Sequence, residues 1–122
     1  RFEPRGQNLG TEPQFKWQRK SVVVMSESNY SDAHLFPVTY RALGIGKLVG
    51  MPVPGTGTAV WWEGLQNDMW FGIPQVGMID NAGNYMENTQ CEPDVKVANE
   101  PGSVSKGRDQ QLEAAVKVLM QP

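Results

Sequence analysis

The sequence predicts an α/β fold, and three observations carry that prediction. Ser21-Val22-Val23-Val24-Met25 is a continuous β-branched run, the pattern of a strand buried on both faces. Helix-spaced apolar residues follow it, and then Lys47-Leu48-Val49-Gly50 reads as a second short strand, so the order is strand–helix–strand with parallel pairing. Near the end, Leu112, Ala115, Val116 and Leu119 fall at i, i+3, i+4 and i+7, the stripe of an amphipathic helix.

Taken in order, residues 1–20 form an irregular lead-in punctuated by Pro4, Gly6, Gly10 and Pro13. Lys16, Arg19 and Lys20 read as solvated charges flanking an aggregation-prone strand. After that strand, residues 26–30 are polar, and Ser31-Asp32 can cap a helix running to Leu43. Leu35, Phe36, Thr39, Tyr40 and Leu43 mark its expected buried face. Pro37 removes a backbone donor inside it, which predicts a kink or a loose first turn. Gly44 is a natural stop. Pro54-Gly55-Thr56-Gly57 is a turn, and residues 58–63 are a strand. Residues 69–79 are strand-like but broken by Gly72, Pro74 and Gly77. Asp80-Asn81-Ala82-Gly83-Asn84 signals a hairpin with residues 85–87 returning. Asp109 caps the last helix.

Composition narrows the function. There are 13 glycines and 9 prolines in 122 residues, well above the roughly 12% these two types usually supply, which argues against a helix bundle or coiled coil. With 11 basic and 13 acidic side chains the net charge is −2 and the pI about 5.3, which argues against a nucleic-acid partner. No apolar run approaches the roughly 20 residues that span a bilayer. Cys91 is the only cysteine and His34 the only histidine, too few for an ordinary structural zinc site, and no cofactor is implied. The chain begins at Arg1 rather than Met, as expected of a processed product or a piece of a longer polypeptide.

Several residues are candidates for chemistry. The passage from strand through polar turn to helix exposes the Ser31 hydroxyl at a helix N-terminus, where free N–H groups favour developing negative charge. Ser31 is thus either a helix cap or a nucleophile; the Gly-x-Ser-x-Gly elbow pattern is absent. His34, three residues along the same helix, is badly placed to serve as its base and reads as a surface or groove histidine. Gly44-Ile45-Gly46-Lys47 and Gly55-Thr56-Gly57-Thr58 both lack phosphate-loop spacing. Trp61-Trp62 reads as alternating strand packing, with a groove wall as the other option. Glu92-Pro93-Asp94 reads as solvated turn residues. Glu87 closes a hairpin beside Asn88 and is either structural or aimed into a cleft.

The motifs together resemble a family. Ser-Val-Val-Val-Met, then Asn29-x-Ser31-Asp32, Phe36 and the run Leu43-Gly44-x-Gly46-Lys47-Leu48-Val49-Gly50 are similar to the nucleophile region of tricorn-type serine peptidases, relatives of the carboxy-terminal processing peptidases. Glu87-Asn88 followed by Glu92-Pro93-Asp94-Val95 resembles the stretch carrying the tricorn catalytic glutamate. Lys106-Gly107-x-Asp109-x-Gln111-Leu112 before a last helix also fits. The likeness runs collinearly over roughly residues 20–119.

This resemblance implies a ClpP/crotonase-like α/β core, present in part, with residues 1–122 forming one domain, the carboxy-terminal portion of a peptidase catalytic domain. It implies peptide hydrolysis through an acyl-enzyme on Ser31, with the Asp32 N–H as an oxyanion donor. Glu87 would support the catalytic histidine through a bridging hydroxyl. That histidine lies upstream in the family, so the expected partners are a peptide substrate and the preceding part of the same polypeptide; the piece alone should be inactive. A homo-oligomer is left open, and related proteins are often exported, which points to the periplasm. Processing peptidases place a lysine in a Gly-Lys-Gly turn; here the turn reads Gly55-Thr56-Gly57, so a Ser-Lys dyad is excluded. The alternative is a non-catalytic ligand- or peptide-binding module of the same fold, with Trp61, Trp62, Trp70 and Phe71 lining a groove. A third reading is a purely structural or assembly domain.

Overall fold

The computed structural model describes residue 17 and residues 19–122; most of the lead-in at 1–20, Lys16 included, lies outside the described residues. The elements are β1 (Val22–Met25), α1 (Asp32–Ala42), β2 (Lys47–Gly50), β3 (Thr58–Gly64), β4 (Trp70–Gly77), β5 (Val95–Lys96) and α2 (Gln110–Met120). The architecture is mixed α/β, as the run of strands and helices in the sequence predicts.

β1, β2 and β5 form a parallel sheet with β2 in the middle. Val23 pairs with Leu48 and Met25 with Gly50 across β1–β2, and Val49 pairs with Val95 across β2–β5. Strand alternation sends Leu48 and Val49 to opposite faces, and both are 0% exposed. Leu48 joins Met25, Tyr40, Val53 and Cys91 in the core, while α2 packs along β1 and β2 with Ala115 buried. Each fully buried Met, Leu or Val of this set stabilises the fold by about 1.5–3 kcal/mol.

The expectation that β1 is covered on both faces needs correction. β2 is that strand, flanked on both sides, whereas β1 pairs only with β2 among the described residues and leaves Val24 43% exposed. Asp94, exposed on a bend as expected of a solvated turn residue, also closes the β2 ladder. Its carboxylate accepts from Leu48 N–H at 2.7 Å, and its own N–H donates to the Leu48 carbonyl at 2.8 Å. Arg41 of α1 pairs with it at 3.7 Å and donates to the Glu92 carbonyl.

α1 runs through Pro37 as one element. Pro37 cannot bond the Ala33 carbonyl one turn back, and the Asn29 side-chain amide takes that carbonyl instead, at 3.1 Å. The buried face is His34, Pro37 and Tyr40, rotated from the expected one; Phe36 and Leu43 are exposed. The Tyr40 hydroxyl meets Ser21 Oγ at 2.7 Å, tying α1 to the approach of β1. α2 is rotated likewise. Ala115 is buried with Gln111, Ala114, Val118 and Leu119 half-buried, while Leu112 and Val116 lie outward. Its start is doubly capped: Asp109 accepts from Leu112 N–H at 3.0 Å, and Asn99 accepts from Gln110 N–H at 2.6 Å.

β3 and β4 form a separate antiparallel ribbon. The stretch expected to break at Gly72, Pro74 and Gly77 is one strand, because a register shift between Ala59 and Val60 absorbs the irregularity beside Pro74. Trp61 and Trp62 are not packed inside the strand pair: they stand on opposite faces of the ribbon, both exposed, Trp62 at 66%. The hairpin at 80–84 forms as read, with Ile79 bridged to Tyr85 and Asp80 Oδ1 accepting from Ala82 and Asn84 N–H at 2.9 Å each. Among the described residues no helix is long and apolar enough to cross a membrane.

Candidate active site

Ser31 stands at the N-cap of α1 with φ 55° and ψ −117°, and its side chain makes no capping hydrogen bond. A serine that caps a helix adopts extended backbone so that its oxygen can meet the free N–H groups ahead. Here the backbone occupies a region that costs a non-glycine residue about 1–3 kcal/mol, and the capping reading falls. Ser31 is exposed on this tight strand-to-helix turn.

The polar stretch ahead of Ser31 makes that turn. Asn29 Oδ1 accepts from Ser26 N–H at 3.3 Å while its amide holds Ala33, so one side chain spans the whole bend. The Ser31 carbonyl accepts from His34 N–H at 2.8 Å and Leu35 N–H at 3.1 Å, which starts the helix. Its N–H donates to Thr56 Oγ1 at 2.8 Å. The neighbouring Asp32 N–H has no acceptor among the described residues, and it lies at the positive end of an 11-residue helix.

Around Ser31 is a small depression lined by Asp32, Leu35, Thr56, Gly57, Thr58 and Met78. Glu87 reaches it through a hydroxyl: Thr58 Oγ1 donates to Glu87 Oε2 at 2.7 Å. Two glycines permit this approach. A Cβ on Gly57 would lie 2.9 Å from Met86 Cβ, and one on Gly55 would lie 2.1 Å from Thr89 N, so only glycine lets the 55–57 turn lie on the segment carrying Glu87. Ser31, the Asp32 N–H and Thr58–Glu87 are thus gathered on one side of the molecule, from residues far apart in the chain.

His34, expected at the surface or in a groove, is 1% exposed. Its Nδ1 accepts from Thr56 N–H at 3.2 Å, and a buried backbone donor in need of a partner is the physical reason it sits inside. It also contributes to the floor of a cleft of 450 Å³ with Val38, Arg41, Tyr85 and Cys91. Burial pushes the Cys91 thiol above its usual range, which leaves it a poor nucleophile. Among the described residues no cluster of three metal-ligating side chains occurs.

Thr56 and Thr58 are the site residues that sequence reasoning passed over. Their signal was the alternation Gly55-Thr56-Gly57-Thr58, weighed as a phosphate loop and as a turn without a lysine, when two hydroxyls on a glycine-flanked turn equally suit short polar contacts between elements.

With this geometry in view, the comparisons with known proteins agree with one another. The tricorn protease of Thermoplasma acidophilum is 28% identical over 133 residues, covering 97% of this chain and 11% of that protein. Tricorn protease homolog 1 of Streptomyces coelicolor is 28% identical over 119 residues, covering 96% and 11%. The chain therefore spans about a tenth of the length of the curated relatives it matches. The crystal structure of the tricorn protease superposes with a TM-score of 0.74 at 26% identity, over 82% of this chain and 10% of that one. The family model of peptidase family S41 matches residues 3–97, a span that starts ahead of the expected likeness and stops before α2. From the strained serine to the glutamate that the Thr58 hydroxyl binds, the candidate site lies within that span, and the chain belongs to peptidase family S41.

Proposed function

We propose that this chain supplies the nucleophile side of a serine peptidase catalytic domain with a ClpP/crotonase-like core. Ser31 Oγ attacks the peptide carbonyl, the Asp32 N–H donates to the developing oxyanion, and the C–N bond breaks to leave an acyl-enzyme and an amine that takes up the proton held by the base. A histidine from a segment outside this chain takes the Ser31 proton, and Glu87, held by the Thr58 hydroxyl, orients that histidine. The observation that carries the reading is the backbone of Ser31: a positive-φ serine at a helix start that does not cap the helix. Exposure of Ser31 beside a free N–H is the arrangement that acyl transfer needs. In this reading the substrate is a peptide and the base arrives with the rest of the polypeptide, in an exported protein.

The test is peptide hydrolysis by the full-length polypeptide. Ser31→Ala is expected to lower kcat on the order of 10⁴-fold or more, and a fluorophosphonate should label Ser31 in the parent only. The 122-residue piece by itself should neither turn over peptide nor label, for want of a base. Hydrolysis that survives Ser31→Ala would place the chemistry elsewhere. A second reading, a non-catalytic binding module, rests on the exposure of Trp61, Trp62, Trp70 and Phe71 along the β3–β4 ribbon. It predicts no labelling of Ser31 in any form of the protein.

A further inference from the structure

Thr56 makes two hydrogen bonds to α1 in opposite senses. Its Oγ1 accepts from the Ser31 N–H at 2.8 Å, and its own N–H donates to Nδ1 of His34 at 3.2 Å. The two partners lie three residues apart, one helical turn, so the Thr56 turn is joined to the helix start at two points. From behind, the same turn is pressed onto 86–89, where Gly55 and Gly57 leave no room for a Cβ. The Gly55 carbonyl accepts from Asn88 N–H at 3.0 Å and the Gly57 carbonyl from Met78 N–H at 2.9 Å. Thr56 is thereby held on both sides, and its hydroxyl has a set position relative to Ser31.

Ser31 has a competing conformation. At a helix start a serine with extended backbone turns its Oγ onto the N–H groups of the next turn, and an oxygen engaged in that way is not available for attack. The conformation present, with φ 55°, is the less favourable one for the residue alone. Something outside the helix must select it, and among the described residues the one partner of the Ser31 N–H is Thr56. His34, 1% exposed, completes the selection. Its Nδ1 accepts from the Thr56 N–H at 3.2 Å, which fixes the backbone of Thr56 against the helix.

We infer that Thr56, itself held by the buried His34, is a positioning residue that keeps Ser31 in its attacking conformation rather than its capping one. This rests on the peptidase reading above and assigns work to two residues that the proposed chemistry does not use. Loss of the clip acts on the geometry of the nucleophile and of the adjacent Asp32 N–H. It therefore appears in kcat, with KM little changed.

The experiment measures kcat and KM for the full-length polypeptide with Thr56→Val, Thr56→Ser and, as control, Ser31→Ala. Thr56→Val keeps the shape and loses the oxygen; kcat should fall about 10- to 100-fold with KM within about twofold. Thr56→Ser restores the oxygen and should recover most of that loss. His34→Asn, which keeps an acceptor near the Nδ1 position, should retain far more rate than His34→Leu. If Thr56→Val does not accumulate as folded protein, the two His34 variants decide the matter on the same criterion. An unchanged kcat in Thr56→Val, or equal losses in Thr56→Val and Thr56→Ser, overturns the inference, as does a lowered thermal midpoint with kcat intact. If Ser31→Ala leaves hydrolysis unaltered, the peptidase reading fails first and the inference falls with it.

Discussion

Replacing Asn29 by alanine should loosen the start of α1, by an amount the hydrogen bonds define. The Asn29 amide donates to the Ala33 carbonyl at 3.1 Å, the acceptor that Pro37 leaves without its usual partner. Its Oδ1 accepts from Ser26 N–H and Ser26 Oγ, each at 3.3 Å, near the outer limit of such bonds. A net contribution of about 1 kcal/mol for the first bond and about half that for each of the others gives roughly 2 kcal/mol. Local opening of the 29–36 segment should then become about 30-fold more frequent, since 1.36 kcal/mol is a factor of ten. Amide hydrogen exchange of a peptide covering this segment reads that change directly. The same amide should matter less once Pro37→Ala returns an N–H to the Ala33 carbonyl. In the double variant the loss from Asn29→Ala should shrink by about 0.5–1 kcal/mol. Strictly additive effects, or unchanged exchange in Asn29→Ala, would refute the idea that Asn29 substitutes for the missing proline donor.

Glu87→Gln should lower kcat of the full-length polypeptide by less than Ser31→Ala, and Thr58→Val should lower it similarly; because both act through one hydrogen bond, the double variant should lose little more than either alone. Gly50→Ala should abolish accumulation of folded protein, as its φ is +125° and a Cβ would sit 2.0 Å from the Met25 carbonyl oxygen, a clash worth more than about 3 kcal/mol; soluble yield and thermal midpoint check this. Hydrogen bonds from the Asn84 backbone and side chain, with smaller help from Ala82 and Gly83, hold the Asp80 carboxyl below its ordinary 3.8. A carboxylate depressed in the folded state stabilises fully above its unfolded value, and that gain is lost as pH falls through the folded value. Exchange protection of the 78–86 hairpin, corrected for intrinsic rates, should therefore be level from about pH 5 to 8 and drop below about pH 4, and Asp80→Asn should flatten that drop.

What could be read from the sequence follows from the range of the forces involved. The β-branched run at 22–24, the polar bend at 26–30, the Ser-Asp start of α1 and the Asp109 cap of α2 are decided by neighbours within a few residues, and the chain order of elements was legible for that reason. Pro37 carried a local conflict that the sequence announced, and its resolution by Asn29 is also local. Ser31 was legible as a position at a helix start but ambiguous in purpose. Only its backbone angles separate capping from presentation, and those depend on a partner 25 residues away.

The buried faces were misread where a helix or strand had more apolar residues than it could cover. α1 turns His34, Pro37 and Tyr40 inward because Thr56 offers His34 a donor and Ser21 offers Tyr40 an oxygen. Phe36 and Leu43, more apolar than His34, are left outside. α2 lies on β1 and β2 through its small residues at 114 and 115, which permit close approach, and Leu112 and Val116 point away. By itself the sequence determined the α/β class, the order of elements and a serine at a strand-to-helix turn, because propensity, capping and periodicity act between near neighbours. Tertiary structure alone decided which faces are buried, the strained backbone of Ser31 and the meeting of Ser31, Thr56, Thr58 and Glu87, because each requires a hydrogen bond or a close approach between segments that only folding brings together.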